Sequence, residues 1–214
     1  MTGLTVEDGR VTGVTVARSE GEETLSAATV ISNMGPLGTA LLSGGDALGE
    51  DYLRQARETL RPAANIVVNF ATRERLVDAP GLITFGRTRR LCNMGELTAT
   101  CPELAPDGWY QYVAYGVPRP ALADFDEEKE IEHTLQDLRD EFPGFSDAKM
   151  LSVRVMRGDW PAQRSCAGFD MPQDTPIENL WQVGDGVKDY GDGGTQACAL
   201  TAKWAAERVT EYVE

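Results

Sequence analysis

The 214-residue chain carries 34 Asp and Glu against 20 Lys and Arg, a formal charge of −14, with 42% hydrophobic and 25% charged residues. That composition suits one large or two small core-forming domains, and its acidity excludes nucleic-acid binding, which needs a basic face. Four scattered cysteines without C-x-x-C spacing and a single His133 exclude a zinc set.

Leu4 to Val6 and Val11 to Val16 alternate apolar positions about Glu7-Asp8-Gly9-Arg10, a strong hairpin signal because Asp-Gly tolerates the positive φ of a tight turn. Glu20 to Glu23 read as the next turn, and Ala27 to Ser32 as a short buried strand. Asn33 to Gly38 lacks the G-x-G-x-x-G order of a dinucleotide loop, and reads as a polar loop. Leu41 to Gly49 continues it, and Glu50 to Leu60 is an amphipathic helix that must end before Pro62.

From Ala63 the texture changes. Asn65 to Phe70, Leu82 to Phe85, Trp109 to Tyr115 and Ala148 to Met156 read as strands punctuated by proline and glycine, predicting an antiparallel sheet of four to six strands. Arg73, Arg75, Arg87, Arg89 and Arg90 read as a solvated patch. Between the last two strands, Asp124 to Glu141 predicts a helix with Ile131, Leu135 and Leu138 on its apolar face and acids in its first turn. Nine acids against Lys129 and Arg139 give it a net −7, read as a solvated outer face with His133 at a polar position.

The last quarter carries the chemistry. Leu180, Trp181 and Val183 form a short apolar run that stops at Gly184-Asp185-Gly186, and an Ala-rich helix opens at Gly193-Gly194-Thr195-Gln196. This predicts a strand, a loop stripped of side chains and a helix N-terminus, whose free N–H groups and half positive charge favour an anion or an electron-rich ring edge. Glycine at 191, 193 and 194 lets a ligand approach the backbone, and Asp185 can accept hydrogen bonds from sugar or ribityl hydroxyls.

The run N-L-W-Q-V-G-D-G followed by G-G-T-Q-A-C-A-L-T-A-K-W-A-A resembles the C-terminal signature of FAD-dependent oxidoreductases of the phytoene desaturase and amine oxidase type. G-R-V-T-G-V with A-A-T-V-I-S-N-M-G-P, R-G-D-W-P and T-P-I-E-N-L resemble other segments of the same family. The resemblance implies a mixed α/β (α+β) fold: an antiparallel substrate-domain sheet with flanking helices, plus the C-terminal part of an FAD-binding Rossmann-like domain. It assigns residues 1–60 and 160–214 to the partial FAD domain and 61–159 to the substrate-binding domain. Cofactor contacts then fall on Gly184 and Asp185, near the ribityl–phosphate region, and on Gly193, Gly194, Thr195 and Gln196, near the pyrimidine edge. Ser32 and Asn33 are weaker candidates near the cofactor, and Trp160 near the substrate cavity. The family's flavin carries the hydride, so no catalytic side chain is assigned, and the implied reaction is oxidation of a hydrophobic substrate such as a polyene, or of an amine.

The family's strand–G-x-G-x-x-G–helix unit is absent from these 214 residues. The expectation is therefore that this polypeptide alone binds FAD weakly or not at all, and pairs with a second chain carrying that unit or self-associates. The alternative is a cofactor-free module holding an apolar ligand or a protein partner, told apart by taking up lipophilic dyes while ignoring flavin. No apolar run approaches the roughly 20 residues of a membrane span. With no secretory leader at Met1 and scattered thiols, the expected location is cytoplasmic, with peripheral membrane contact allowed.

Overall fold

The computed structural model describes residues 1–44, 47–158 and 166–213, and mixes helix with antiparallel sheet, 33% and 29% of residues. Contacts divide the chain into two units, Met1–Ala63 with Gly158–Glu214, and Ala64–Arg157.

The first unit begins with a meander. β1 (Gly3–Glu7) and β2 (Arg10–Arg18) pair antiparallel about Asp8 and Gly9, both at positive φ (49° and 75°), as an Asp-Gly hairpin requires. β3 (Gly21–Ser26) adds the third strand. The expected turn at Glu20 to Glu23 is thus corrected: Glu22 and Glu23 pair with Ala17 and Val16. β3 is exposed along its whole length, so it lacks the half-buried alternation that identifies a strand.

β4 is only Val30–Ser32, with Ile31 45% exposed, shorter and less buried than expected. The predicted loop from Asn33 is instead α1 (Gly35–Leu42), which begins with proline in its first turn and buries Pro36, Thr39 and Ala40. Gly38 and Thr39 are poor helix formers in isolation, but Thr39 Oγ1 bonds the Gly35 carbonyl and Ser32 Oγ, both within 2.8 Å. α2 (Glu50–Thr59) packs Tyr52 and Ala56 inward and stops at extended Leu60, two residues before Pro62.

The second unit is a five-stranded antiparallel sheet in the order β6-β7-β8-β5-β9. Its strands are β5 (Asn65–Thr72), β6 (Leu82–Thr84), β7 (Leu91–Glu96), β8 (Tyr110–Gly116) and β9 (Lys149–Met156). β7 has no sequence forecast, because Asn93 and Gly95 interrupt its apolar pattern. One sheet face carries the core: Ile66, Val68, Phe70, Met94, Tyr112 and Ala114 pack with Leu138 and Phe145, and Phe70 stacks on Tyr112 at 5.1 Å.

α3 (Glu127–Glu141) covers that face, its N-terminus capped by Asp126, which accepts the Lys129 N–H at 3.1 Å. It approaches the sheet so closely that a Cβ on Gly116 would lie 2.4 Å from Thr134 Oγ1. Contrary to the expected solvated face, the helix buries two of its acids: Glu130 and Asp137 are 3% and 1% exposed. Asp137 accepts the backbone N–H of Arg89, Arg90 and Leu91 at 3.0, 2.6 and 2.9 Å, and the Arg89 guanidinium at 2.9 Å. Glu130 takes the Arg90 guanidinium and the Arg119 N–H, while Arg75 pairs with buried Glu96. Arg75, Arg89 and Arg90 are therefore structural partners of buried acids rather than a solvated patch.

Burial opposes the charge on Asp137, but the N–H groups of Leu91, Arg90 and Arg89 and the Arg89 side chain outweigh it and lower its pKa. Arg90 is the main cause that lowers Glu130, against burial, with the Arg119 N–H adding to it.

The chain then returns to the first unit. Asn179, 1% exposed, accepts the Val11 N–H and donates to the Val11 and Ala28 carbonyls at 2.7 to 2.8 Å, sewing the meander to the returning segment. β10 (Leu180–Gln182) pairs parallel with β4. Its other edge meets Asp174 through an antiparallel bridge at Trp181. Among the described residues β4 is thus paired on one side only. α4 (Gly194–Val213) closes the described chain.

Candidate functional site

β4 and β10 run parallel, so their carboxyl ends lie side by side, where ligands of open α/β sheets bind. The Ser32 carbonyl accepts the Val183 N–H at 2.9 Å, bringing Asn33 next to Gly184. Gly184 sits at φ 113°, and a Cβ there would lie 2.9 Å from Asn33 Oδ1; only glycine satisfies both conditions. Its N–H donates to Thr201 Oγ1 of α4 at 2.9 Å. A 3-10 turn comes next, Asp185–Val187, with Gly186 backed by Pro36 of α1.

Asp185 Oδ1 accepts the N–H of Gly194, the first residue of α4, at 3.2 Å. The carboxylate therefore caps α4 from nine residues upstream. Thr195 and Gln196 contribute further first-turn N–H groups that have no partner within an α-helix. A Cβ built on Gly193 or Gly194 meets no heavy atom within 4 Å, so the backbone borders open space. Tyr190, 85% exposed, does not fill it. The corner can take a negative or electron-rich edge at the start of α4 and a hydroxyl donor at Asp185.

The structure brings together Gly184, Asp185 and Gly194 through these contacts, with Asn33 against Gly184. Gly193, Thr195 and Gln196 lie on the same exposed turn. Ser32 points away into α1 through Thr39. His133 lies on α3 in the other unit, its Nδ1 buried and 3.8 Å from Glu130 Oε1. Asp159, Trp160 and Pro161 lie outside the described residues.

Sequence reading missed Lys188 and Asp170. The Lys188 side chain is 2% exposed and its ammonium is 2.5 Å from Asp170 Oδ1. The available signal was a lysine, one of four in the chain, set among aspartates between strand and helix. Among the described residues no group of His, Cys, Asp and Glu could hold a metal ion, and no helix is long and apolar enough to cross a membrane.

These two units, one with a parallel strand pair ending at a glycine-lined helix start and one a five-stranded antiparallel sheet, have the fold of a class of solved oxidoreductases. An oxidoreductase from Methanosarcina mazei matches with a TM-score of 0.77 at 29% identity, over 96% of this chain and 48% of that one. A Pyrococcus furiosus protein matches in fold with a TM-score of 0.65 at 23% identity, over 92% and 44%. Glycine oxidase from Bacillus cereus does so at 0.55 and 17% identity, over 98% and 49%. The chain spans about half the length of these structures. The model of the flavin-containing amine oxidoreductase family matches residues 4–210. The chain belongs to that family. No curated protein matches it.

Proposed function

We propose that this chain supplies the flavin-proximal and substrate-binding portion of an FAD-dependent oxidoreductase. Residues 1–60 and 160–214 form the partial FAD domain, and 61–159 the substrate domain. The observation that carries the reading is the bare backbone at Gly193 and Gly194, at the start of a 20-residue helix and beside the Asp185 carboxylate. The residues fit the cofactor. Gly193, Gly194, Thr195 and Gln196 would face the pyrimidine edge of the isoalloxazine, Asp185 would accept a ribityl hydroxyl, and Gly184 would let the chain turn between them.

Bound there, the flavin would accept a hydride from an amine or a hydrophobic substrate such as a polyene. The protein's share is orientation and electrostatic bias. First-turn N–H groups favour negative charge on the ring edge by roughly 1–2 kcal/mol in a partly buried setting.

Pairing with a further segment gains support from β4, whose outer edge is unpaired among the described residues while Ile31 is 45% exposed. An open parallel edge with an apolar side chain on it is a place for another strand. A segment bearing the G-x-G-x-x-G unit, in cis or in trans, would add that strand and hold the adenosine and pyrophosphate.

Isothermal titration of the chain with FAD, FMN and riboflavin tests the reading. The chain alone is expected to bind all three weakly and with similar affinity, because it contacts only the part they share. With a G-x-G-x-x-G polypeptide supplied, FAD should gain at least 100-fold over riboflavin. Flavin binding in neither form, or a strong FAD preference by the chain alone, contradicts it.

A further inference from the structure

Beneath the open corner lies a buried ion cluster that the family match does not account for. The Lys188 side chain is 2% exposed, that of Asp170 8% and that of Asp185 15%. A buried ammonium persists only when paired and hydrogen-bonded. Lys188 Nζ donates to Asp170 Oδ1 at 2.5 Å and to the Asp185 carbonyl at 2.7 Å, and lies 3.8 Å from Asp185 Oδ1. One ammonium thus touches both the backbone and the carboxylate of Asp185. That double contact adds to the Gly194 N–H in limiting the rotation of the Asp185 side chain.

The connection continues in both directions. Asp185 Oδ1 accepts the Gly194 N–H at 3.2 Å, and Asp170 Oδ2 accepts the Gly168 N–H at 3.1 Å. The Met171 N–H also binds the Gly186 carbonyl at 2.9 Å. The loop at 168–171, the turn at 185–187 and the first residue of α4 are therefore one hydrogen-bonded assembly with Lys188 at its centre.

We propose that Lys188 is a positioning residue of the cofactor site: held by Asp170, it fixes the Asp185 carboxylate against the start of α4, in the place where a polyol hydroxyl of the flavin side chain is received. The proposal rests on the flavin reading above. It distinguishes Lys188 from a lysine that only neutralises Asp170, since such a lysine could be removed together with its partner at no loss to the site.

That difference is the test. Lys188→Met alone leaves two buried carboxylates without their counter-charge and destabilises the unit. The decisive variant is therefore Lys188→Met with Asp170→Asn, in which the cluster is charge-compensated. It is measured beside wild type and Lys188→Arg, each with a G-x-G-x-x-G polypeptide supplied. The readouts are thermal unfolding, FAD affinity by fluorescence quenching, and hydrogen exchange at the Gly194 amide.

The expected result is a double variant that unfolds within a few degrees of wild type, binds FAD at least tenfold more weakly and exchanges the Gly194 amide at least tenfold faster. Lys188→Arg, which keeps the charge but moves it, should bind FAD about threefold more weakly. Wild-type FAD affinity in the double variant overturns the proposal and leaves the flavin reading standing. If the double variant does not fold, Lys188→Arg decides by the same measure: wild-type affinity overturns the proposal and weakened affinity supports it. Failure of the wild-type assembly to bind FAD overturns the flavin reading and this proposal with it.

Discussion

The two long helices begin in opposite ways. α3 opens on its own Asp126 cap, with Glu127, Glu128 and Glu130 in the first turn. Its dipole is complemented locally, as in any well-finished helix. α4 opens on Gly193 and Gly194, with no acid in its first turn, and its Gly194 N–H donates to Asp185 from the preceding turn. Each helix also treats its buried charges differently. On α3, Asp137 and Glu130 are held by backbone N–H groups and by Arg89 and Arg90 just before β7, so their carboxylates are taken up by the fold. Near α4 the buried charge is gathered behind the corner, on Lys188 and Asp170, while the space in front stays bare. A helix start closed by its own sequence holds a fold together; one built from glycine and stabilised from behind is suited to a ligand.

Removing the α3 side of this contrast should cost the most. Asp137→Ala would strip the acceptor from three backbone N–H groups and Arg89, and is expected to destabilise the second unit by about 3–5 kcal/mol, read by urea unfolding. On the α4 side, Gly193→Leu should separate stability from binding. Its φ is not in the left-handed region and its Cβ would meet nothing within 4 Å. Unfolding should therefore change by no more than about 0.5 kcal/mol, while flavin affinity falls at least tenfold.

Asp185→Ala removes both the α4 cap and the proposed hydroxyl acceptor. A stability loss of about 1 kcal/mol and at least a tenfold loss of flavin affinity should appear together. The pH dependence sharpens the same comparison. Asp137 and Glu130 have folded-state pKa values below their ordinary ones, so their stabilisation is complete above the unfolded carboxylate range near about 4 and disappears as pH falls through the lowered folded values. Acid unfolding monitored by hydrogen exchange should show β7 and the 89–91 backbone losing protection on that descent. His133→Ala should do least, leaving flavin affinity unchanged.

The glycine–aspartate corner is readable in the sequence because it is local: Gly184, Asp185, Gly193 and Gly194 lie within a dozen residues and their backbone demands are written in their identities. The Asp8-Gly9 hairpin and the capped acidic helix are legible for the same reason. The elements that escape depend on distant partners. β3 is recognisable only by its pairing with β2, and α1 only by Thr39 finding Ser32. Asp137 and Glu130 look like solvated acids because arginine partners some forty residues away cannot be seen in a helical pattern. Lys188 is hidden similarly, since its burial depends on Asp170, eighteen positions earlier.

The most direct test of the proposed flavin site is an amide-resolved NMR titration of the chain with FMN. Concentration-dependent shifts are expected at Asp185, Gly193, Gly194, Thr195 and Gln196, with β5 to β8 and the start of α3 unmoved. Shifts confined to the sheet unit, or none at millimolar FMN even with a G-x-G-x-x-G polypeptide supplied, would contradict it.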